Sequence, residues 1–288
     1  MLPLLQIHLL GGFRLLIDDD PLTSLDTPRQ QAFLAYLLLH RDAPQPRQRL
    51  AFLFWPDSTD AQAQTNLRQL LHTLRQRLPE APRYLSIDER TVQWRGDAPY
   101  TLDLADFERA LARAEQNAGY DKTAALEEAV AFYTGDLLPA LYDEWVLAAR
   151  ERLGQRFVTA LEALIDLHEE ERELKPAIAH AQRLLRHDPL HEATYRQLMR
   201  LHALDGDRVA GLRVYHTCAT ILDRELDVPP NEATQEAYAR LMKATASDPD
   251  APSSVAQAAL GWGLVGRHFR VGGHHVSFFG ISRHLVLK

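Results

Sequence analysis

Acid is missing from one stretch of an otherwise acidic chain. Residues 62–79 contain Arg68, Arg75 and Arg77 and no aspartate or glutamate, although the 288 residues carry a net charge of −7. Other scarcities set wider bounds. The one cysteine, Cys218, excludes an intramolecular disulfide framework and a cysteine-rich zinc site. Both points suit a reducing compartment, so a cytoplasmic protein is expected. No run approaches 18 uninterrupted apolar residues, so no membrane span and no membrane partner are expected. The apolar N-terminus "MLPLLQIHLLGGF" lacks a basic n-region and a small-residue cleavage site, and it reads as a strand.

What is present is a composition able to build packed cores, 46% hydrophobic and 25% charged, over a length that fits two or three domains. The charge is unevenly spread. Residues 1–97 hold 11 Arg against 11 acids, whereas residues 98–247 hold 17 basic and 26 acidic residues. Such asymmetry points to a module that faces nucleic acid joined to a solvated acidic one.

Periodicity orders the first segment. "LLQIHLL" and "FRLLI", split by Gly11-Gly12 and followed by the turn "DDDP", read as strands. Thr27-Pro28 opens a helix, with Thr27 as cap and Pro28 at the first helical position. "DAPQP" breaks that helix, and "RQRLAFLFW" forms a second, which ends before Pro56. A third, capped by Asp57, Ser58 or Asp60, runs to Leu78. "YLSIDERTVQWRG" then reads as a hairpin with Arg90 at its tip. Strands, three helices and a hairpin are the order of a response-regulator-type winged helix, whose third helix enters the major groove.

From about residue 102 the pattern is almost purely helical, with segments expected at 103–117, 121–134, 143–172, 175–187, 190–205, 207–224 and 231–244. A weak 34-residue register, Ile178 with Leu212 and Leu184 with Cys218, suggests paired helices of tetratricopeptide-like type. The fold expected is therefore mainly α: a winged helix over 1–97, an all-α helical domain over 98–245, and a linker with an irregular tail over 246–288.

Leu67, Leu71, Leu74 and Leu78 form one apolar stripe on the third helix, flanked by Leu70. Asn66, Arg68, Gln69, His72 and Thr73 are the candidates for reading base edges, because Arg, Asn and Gln pair with bases bidentately. Arg47, Arg49, Arg75, Gln76, Arg77 and Arg90 are candidates for phosphate or wing contacts. The plainer reading of this face is a solvated basic surface. Trp55, Trp94 and Trp145 read as core anchors, Tyr133, Tyr142, Tyr195 and Tyr215 as packing residues, and Cys218 as a small core residue.

Catalytic and cofactor signals are poor. Gly261, Gly263 and Gly266 match GxGxxG by letter, but no strand precedes them and no acid follows. His187 and His191 are separated by Asp188-Pro189, which breaks the helix that this spacing needs, and His274-His275 stand alone. No GxSxG occurs, so no catalytic residue, metal site or cofactor is expected and the chain is read as a non-enzyme.

The stretches "TPRQQAFLAYLLLHRDAPQPRQRLAFLFWPDSTDAQAQTNLRQLLHTLRQRLP", "LDLADFERAL", "AVAFYTGDLLPALYDEWVLAARERL" and "RLLRHDPLHEATYRQLMRLHALDGDRVAGLRVYHTCATILDRELDVPPNEAT" together resemble the bacterial transcriptional activator family, regulators of the antibiotic-regulatory-protein type. The resemblance covers roughly residues 4 to 242. It implies a winged-helix DNA-binding domain joined to a helical activator domain. Double-stranded DNA is then the implied partner, with RNA polymerase or a second protomer beside it. The alternative reading is a helical interaction scaffold or signalling adaptor without DNA binding. "LVGR" at 264–267 is similar to the start of the ATPase domain of larger members, but no GxxxxGK[ST] follows.

Overall fold

The computed structural model describes residues 4–97 and 99–243, together with the backbone of 265–271 and 274–280. Two small sheets frame three helices in the first hundred residues. Strands β1 (Leu5–His8) and β2 (Arg14–Ile17) pair antiparallel, and β2 turns into β3 (Asp20–Pro21) through Asp18 and Asp19, both at positive φ. Two left-handed residues in a two-residue turn match the right-handed twist of the hairpin. Helix α1 (Pro28–Leu39) starts as expected, with Thr27 Oγ1 accepting from the Gln30 N–H.

Strand β4 (Gln45–Pro46), absent from the sequence reading, leads directly into α2 (Arg47–Phe54). Helix α3 (Asp60–Arg77) follows, then a single turn α4 (Ala81–Tyr84). The hairpin of β5 (Leu85–Ile87) and β6 (Thr91–Trp94) is the expected wing, and β4 adds to it in the order β4-β6-β5. The cap of α3 differs from all three expected residues: it is Thr59, in extended conformation, whose Oγ1 accepts from the Gln62 N–H at 3.4 Å. Asp60 instead occupies the first turn, where its charge favours the helix dipole. Thr59→Ala should cost about 1 kcal/mol, read as a lower melting temperature with an unchanged native circular-dichroism spectrum.

Strand β7 (Tyr100–Leu102) returns to the first sheet and lies parallel to β1, in the order β3-β2-β1-β7. Among the described residues seven helices follow, as the periodicity predicted: α5 (Asp103–Gln116), α6 (Gly119–Phe132), α7 (Glu144–Glu170), α8 (Leu174–His187), α9 (Glu192–Leu204), α10 (Arg208–Leu226) and α11 (Glu232–Lys243). They pack in sequential pairs, α5 on α6, α7 on α8 and α9 on α10, with α11 closing on α9 and α10. This is the stacked helix-pair arrangement of tetratricopeptide-like folds.

One hydrophobic core runs from Leu5 in β1 to Leu201 in α9, across the junction near residue 98. Its seam is specific. The Gly11 N–H donates to Asp136 O at 2.9 Å, and Leu138 N–H donates to Leu9 O at 3.0 Å. Thr134 Oγ1–H donates to Leu10 O at 2.7 Å. Gly11 sits at φ +84°, and a Cβ there would meet Thr134 Oγ1 at 2.9 Å, so both conformation and closeness require glycine. Tyr36 of α1 meets Trp145 of α7 edge to face at 5.2 Å.

Trp94 is fully buried, while Trp55 and Trp145 are half-buried against the same core. Cys218 is buried, and burial pushes its thiol up to about 11. Tyr142 departs from the packing role expected of it: it is 79% exposed, because it lies in the loop before α7 and on no helix face. The tail departs too. Strands β8 (Val265–Val271) and β9 (His274–Gly280) pair antiparallel where an irregular segment was expected. The alternation of Phe269 and Val271, then Val276 and Phe278, around Gly272-Gly273 is hairpin grammar. The linker expected before them lies outside the described residues, as do Gly261 and Gly263.

Candidate nucleic-acid interface

Three arginines from three elements converge on one groove. Arg47 opens α2, Arg68 lies mid-way along α3, and Arg90 stands at the tip of the β5–β6 wing. Together with Gln48, Gln64 and Glu89 they line an open depression of about 580 Å³. The convergence has a local cause. The Arg47 N–H donates to Arg90 O at 2.8 Å, and the Arg47 guanidinium donates to Asp88 O at 3.0 Å. The wing tip is thus fastened to the start of α2, and β4 extends that attachment.

The floor is α3. Ala63, Leu67, Leu70, Leu71 and Leu74 are buried, which orients the opposite face outward for all five turns. Gln64, Arg68, His72 and Arg75 fall in one row along that face, and Gln69 and Gln76 in the next, at helical spacing. Arg68, Gln69, His72, Arg75 and Gln76 are exposed and Thr73 is half-buried. Arg68 is steadied along the helix by Gln64 O and Thr65 Oγ1, each at 3.2 Å. Arg75 donates to Ile87 O of the wing at 3.4 Å. Thr73 Oγ1–H donates to Gln69 O at 3.0 Å, so its hydroxyl is turned to its own helix.

Two candidates lie elsewhere. Asn66 and Arg77 are about half a helical turn round from Arg68. Asn66 Oδ1 accepts from Gln62 Nε2 at 2.8 Å. Arg77 donates to Asp26 Oδ1 at 3.1 Å and Ser24 O at 3.0 Å, while Ser24 donates to Arg77 O. The guanidinium of Arg77 therefore anchors the loop before α1 to the end of α3. Arg49 is exposed and lines a neighbouring depression with Phe52, Trp55 and Gln64, in which Phe52 is 70% exposed.

The sequence reading missed Gln48, Gln64 and Glu89. Gln64 is one turn before Arg68, so its place in the row was available from spacing. Glu89 brings a carboxylate to the groove's edge. Its neighbour Asp88 is held below the usual carboxylate range by hydrogen bonds from the Thr91 hydroxyl and N–H and from the Arg90 N–H. Asp88 therefore stays ionised and spends its oxygens shaping the wing turn.

The arrangement can bind polyanion: dispersed guanidiniums along an exposed helix, a second helix start beside it, and a wing. Residues 102–242 match the family described as bacterial transcriptional activator domain. The chain is 27% identical over 260 residues to the regulatory protein AfsR of Streptomyces coelicolor, covering 88% of this chain and 26% of AfsR. It is 26% identical over 258 residues to the transcriptional regulatory protein EmbR of Mycobacterium tuberculosis, covering 83% of this chain and 63% of EmbR. The solved structure of EmbR from that organism, in complex with a low-affinity phosphopeptide, superposes with a TM-score of 0.63 at 23% identity, covering 90% of this chain and 70% of that one. That likeness supports the same two-part fold, a winged helix followed by stacked helices. Through residues 102–242 the chain is a member of the bacterial transcriptional activator domain family.

Proposed function

We propose that this chain is a sequence-specific DNA-binding transcriptional regulator and not an enzyme. The observation that carries the reading is the meeting of Arg47, Arg68 and Arg90 around one groove on the exposed face of α3. Helix α3, 18 residues long, spans about 27 Å, and its diameter suits a major groove about 12 Å wide. In this reading Arg68, Gln69 and His72 read base edges, and Arg75 and Gln76 hold the adjacent backbone. Arg47 and Arg49 face phosphate from the start of α2, and Arg90 reaches the flanking minor groove from the wing. Residues 1–97 form the DNA-binding unit. Within residues 98–245 the helices from α5 onward form the acidic helical unit, which docks on RNA polymerase or on a second protomer bound to a tandem repeat, as an activator in the cytoplasm.

Electrostatics supplies a direct test. If about six phosphates are neutralised, log affinity falls against log salt with a slope of about −5. The measurement is fluorescence anisotropy of the full chain on its own upstream DNA from 50 to 200 mM salt. Binding that ignores salt overturns the reading. An absence of any shift on that DNA favours the interaction-scaffold alternative.

Among the described residues no helix is long and apolar enough to cross a membrane.

A further inference from the structure

Three side chains from three different helices meet on the helical half, apart from the groove. Glu127 stands on α6, His168 near the end of α7 and His180 in the middle of α8. Glu127 Oε1 lies 3.2 Å from His168 Nε2 and 2.8 Å from His180 Nε2. The three ligand atoms all lie within 4.8 Å of one another. The two imidazoles stack 8° from parallel with centroids 5.4 Å apart, so both present the same nitrogen to one carboxylate oxygen. A further carboxylate backs the site: Glu173 Oε2 is 2.8 Å from His168 Nδ1.

We propose that Glu127, His168 and His180 bind a divalent transition-metal ion, with zinc as the best fit, through Glu127 Oε1 and the two Nε2 atoms. Two imidazoles and one carboxylate suit zinc, whereas calcium and magnesium take all-oxygen sets. Tetrahedral zinc with bonds of about 2.0 Å separates neighbouring ligand atoms by about 3.3 Å. Two of the three separations here, 3.2 and 2.8 Å, already approach that value. Glu173 is the positioning residue. By accepting the His168 Nδ1–H it fixes the tautomer whose Nε2 lone pair faces the ion.

Access and burial agree with a filled site. The His168 and His180 side chains are 7% and 12% exposed, and Glu127, at 43%, faces solvent. An ion enters past Glu127, and water completes its coordination. The ion ties the α5–α6 pair to the α7–α8 pair, so metal supply sets the rigidity of the helical half. Nothing local in the sequence announces this site, because 41 and 12 residues separate successive ligands.

The test uses the full chain, stripped of metal by a chelator and titrated with Zn²⁺ against a chromophoric competitor. One ion per chain is expected, with visible d–d bands of four-coordinate Co²⁺ in a parallel titration. The melting temperature should rise by roughly 5–10 °C when free Zn²⁺ is a hundredfold above Kd. His180→Ala should abolish both effects. Glu173→Gln should weaken binding about 10- to 100-fold while leaving the metal-free melting temperature near that of the parent, and it decides the matter even where His180→Ala fails to fold. His274→Ala with His275→Ala should leave the affinity unchanged. The proposal is overturned by absent binding, by affinity that survives His180→Ala or Glu173→Gln, or by affinity that disappears with His274 and His275.

Discussion

Replacing Arg68 and Arg75 together by alanine should weaken DNA binding about 30- to 1,000-fold and leave the fold intact. A bidentate contact to a base contributes about 1–3 kcal/mol of discrimination, and 1.4 kcal/mol is a factor of ten. Adding the loss of one phosphate contact puts the pair at about 2–4 kcal/mol, and the salt slope should become shallower by about 0.9 per phosphate lost. Stability should change little. Both side chains are exposed on a helix, where alanine is the best helix former. Arg77→Ala is the informative control. Its guanidinium pairs with Asp26, both side chains largely in water, and such a pair contributes little to stability. DNA affinity should stay within a few-fold of the parent. A loss with Arg77→Ala as large as that of the double variant would mean that local net charge, and not the groove, drives binding.

Asp103→Ala should destabilise the protein by about 3 kcal/mol, a large part of the 5–15 kcal/mol typical of a folded domain. The Asp103 carboxylate is buried at the first position of α5. It accepts from the Leu9 N–H at 3.0 Å, from the Leu10 N–H at 2.9 Å and from the Leu104 N–H at 2.7 Å. Truncation leaves these donors facing a cavity, at about 1–3 kcal/mol for each buried group left unpaired. The full sum is not expected. Burial pushes the Asp103 carboxyl up, against the lowering by those three N–H groups and by His8, so removing the group also removes a desolvation cost. Asp103→Asn should be nearly as harmful, since its NH₂ would confront the N–H of Leu9 or Leu10. Urea unfolding at constant m-value measures the difference through the midpoint. A change below 1 kcal/mol would show that water replaces the carboxylate and that the seam does not depend on it.

The fold and the groove are unevenly legible in the sequence. The seven helices of the second half were legible because each carries its own 3.6-residue stripe, closed by a local turn. The wing was legible because Leu85, Ile87, Val92 and Trp94 alternate around "DER". The leucine stripe of α3 likewise located its outward face, and with it Arg68, His72 and Arg75. Sequence does not single out Thr59 as a cap, because three neighbouring residues are equally able to cap and only backbone geometry selects among them. Strand β4 escaped because "QP" has no periodicity of its own, and β7 because three residues do not define a pattern.

The amino-acid order alone thus determined the helices and the wing, the placing of acid on the helical half and its exclusion from residues 62–79, since all three depend on near neighbours in the chain. Tertiary structure decided which distant groups meet. It set Arg77 against Asp26 and Arg68 beside Arg47 and Arg90. It brought Asp103 under Leu9 and Leu10, which makes the two halves share one core. It gathered Glu127, His168 and His180 from three helices. The physical reason is the same throughout. Periodicity records which face of an element is buried, whereas the partners across that face are chosen by packing, and packing leaves no mark at any fixed spacing.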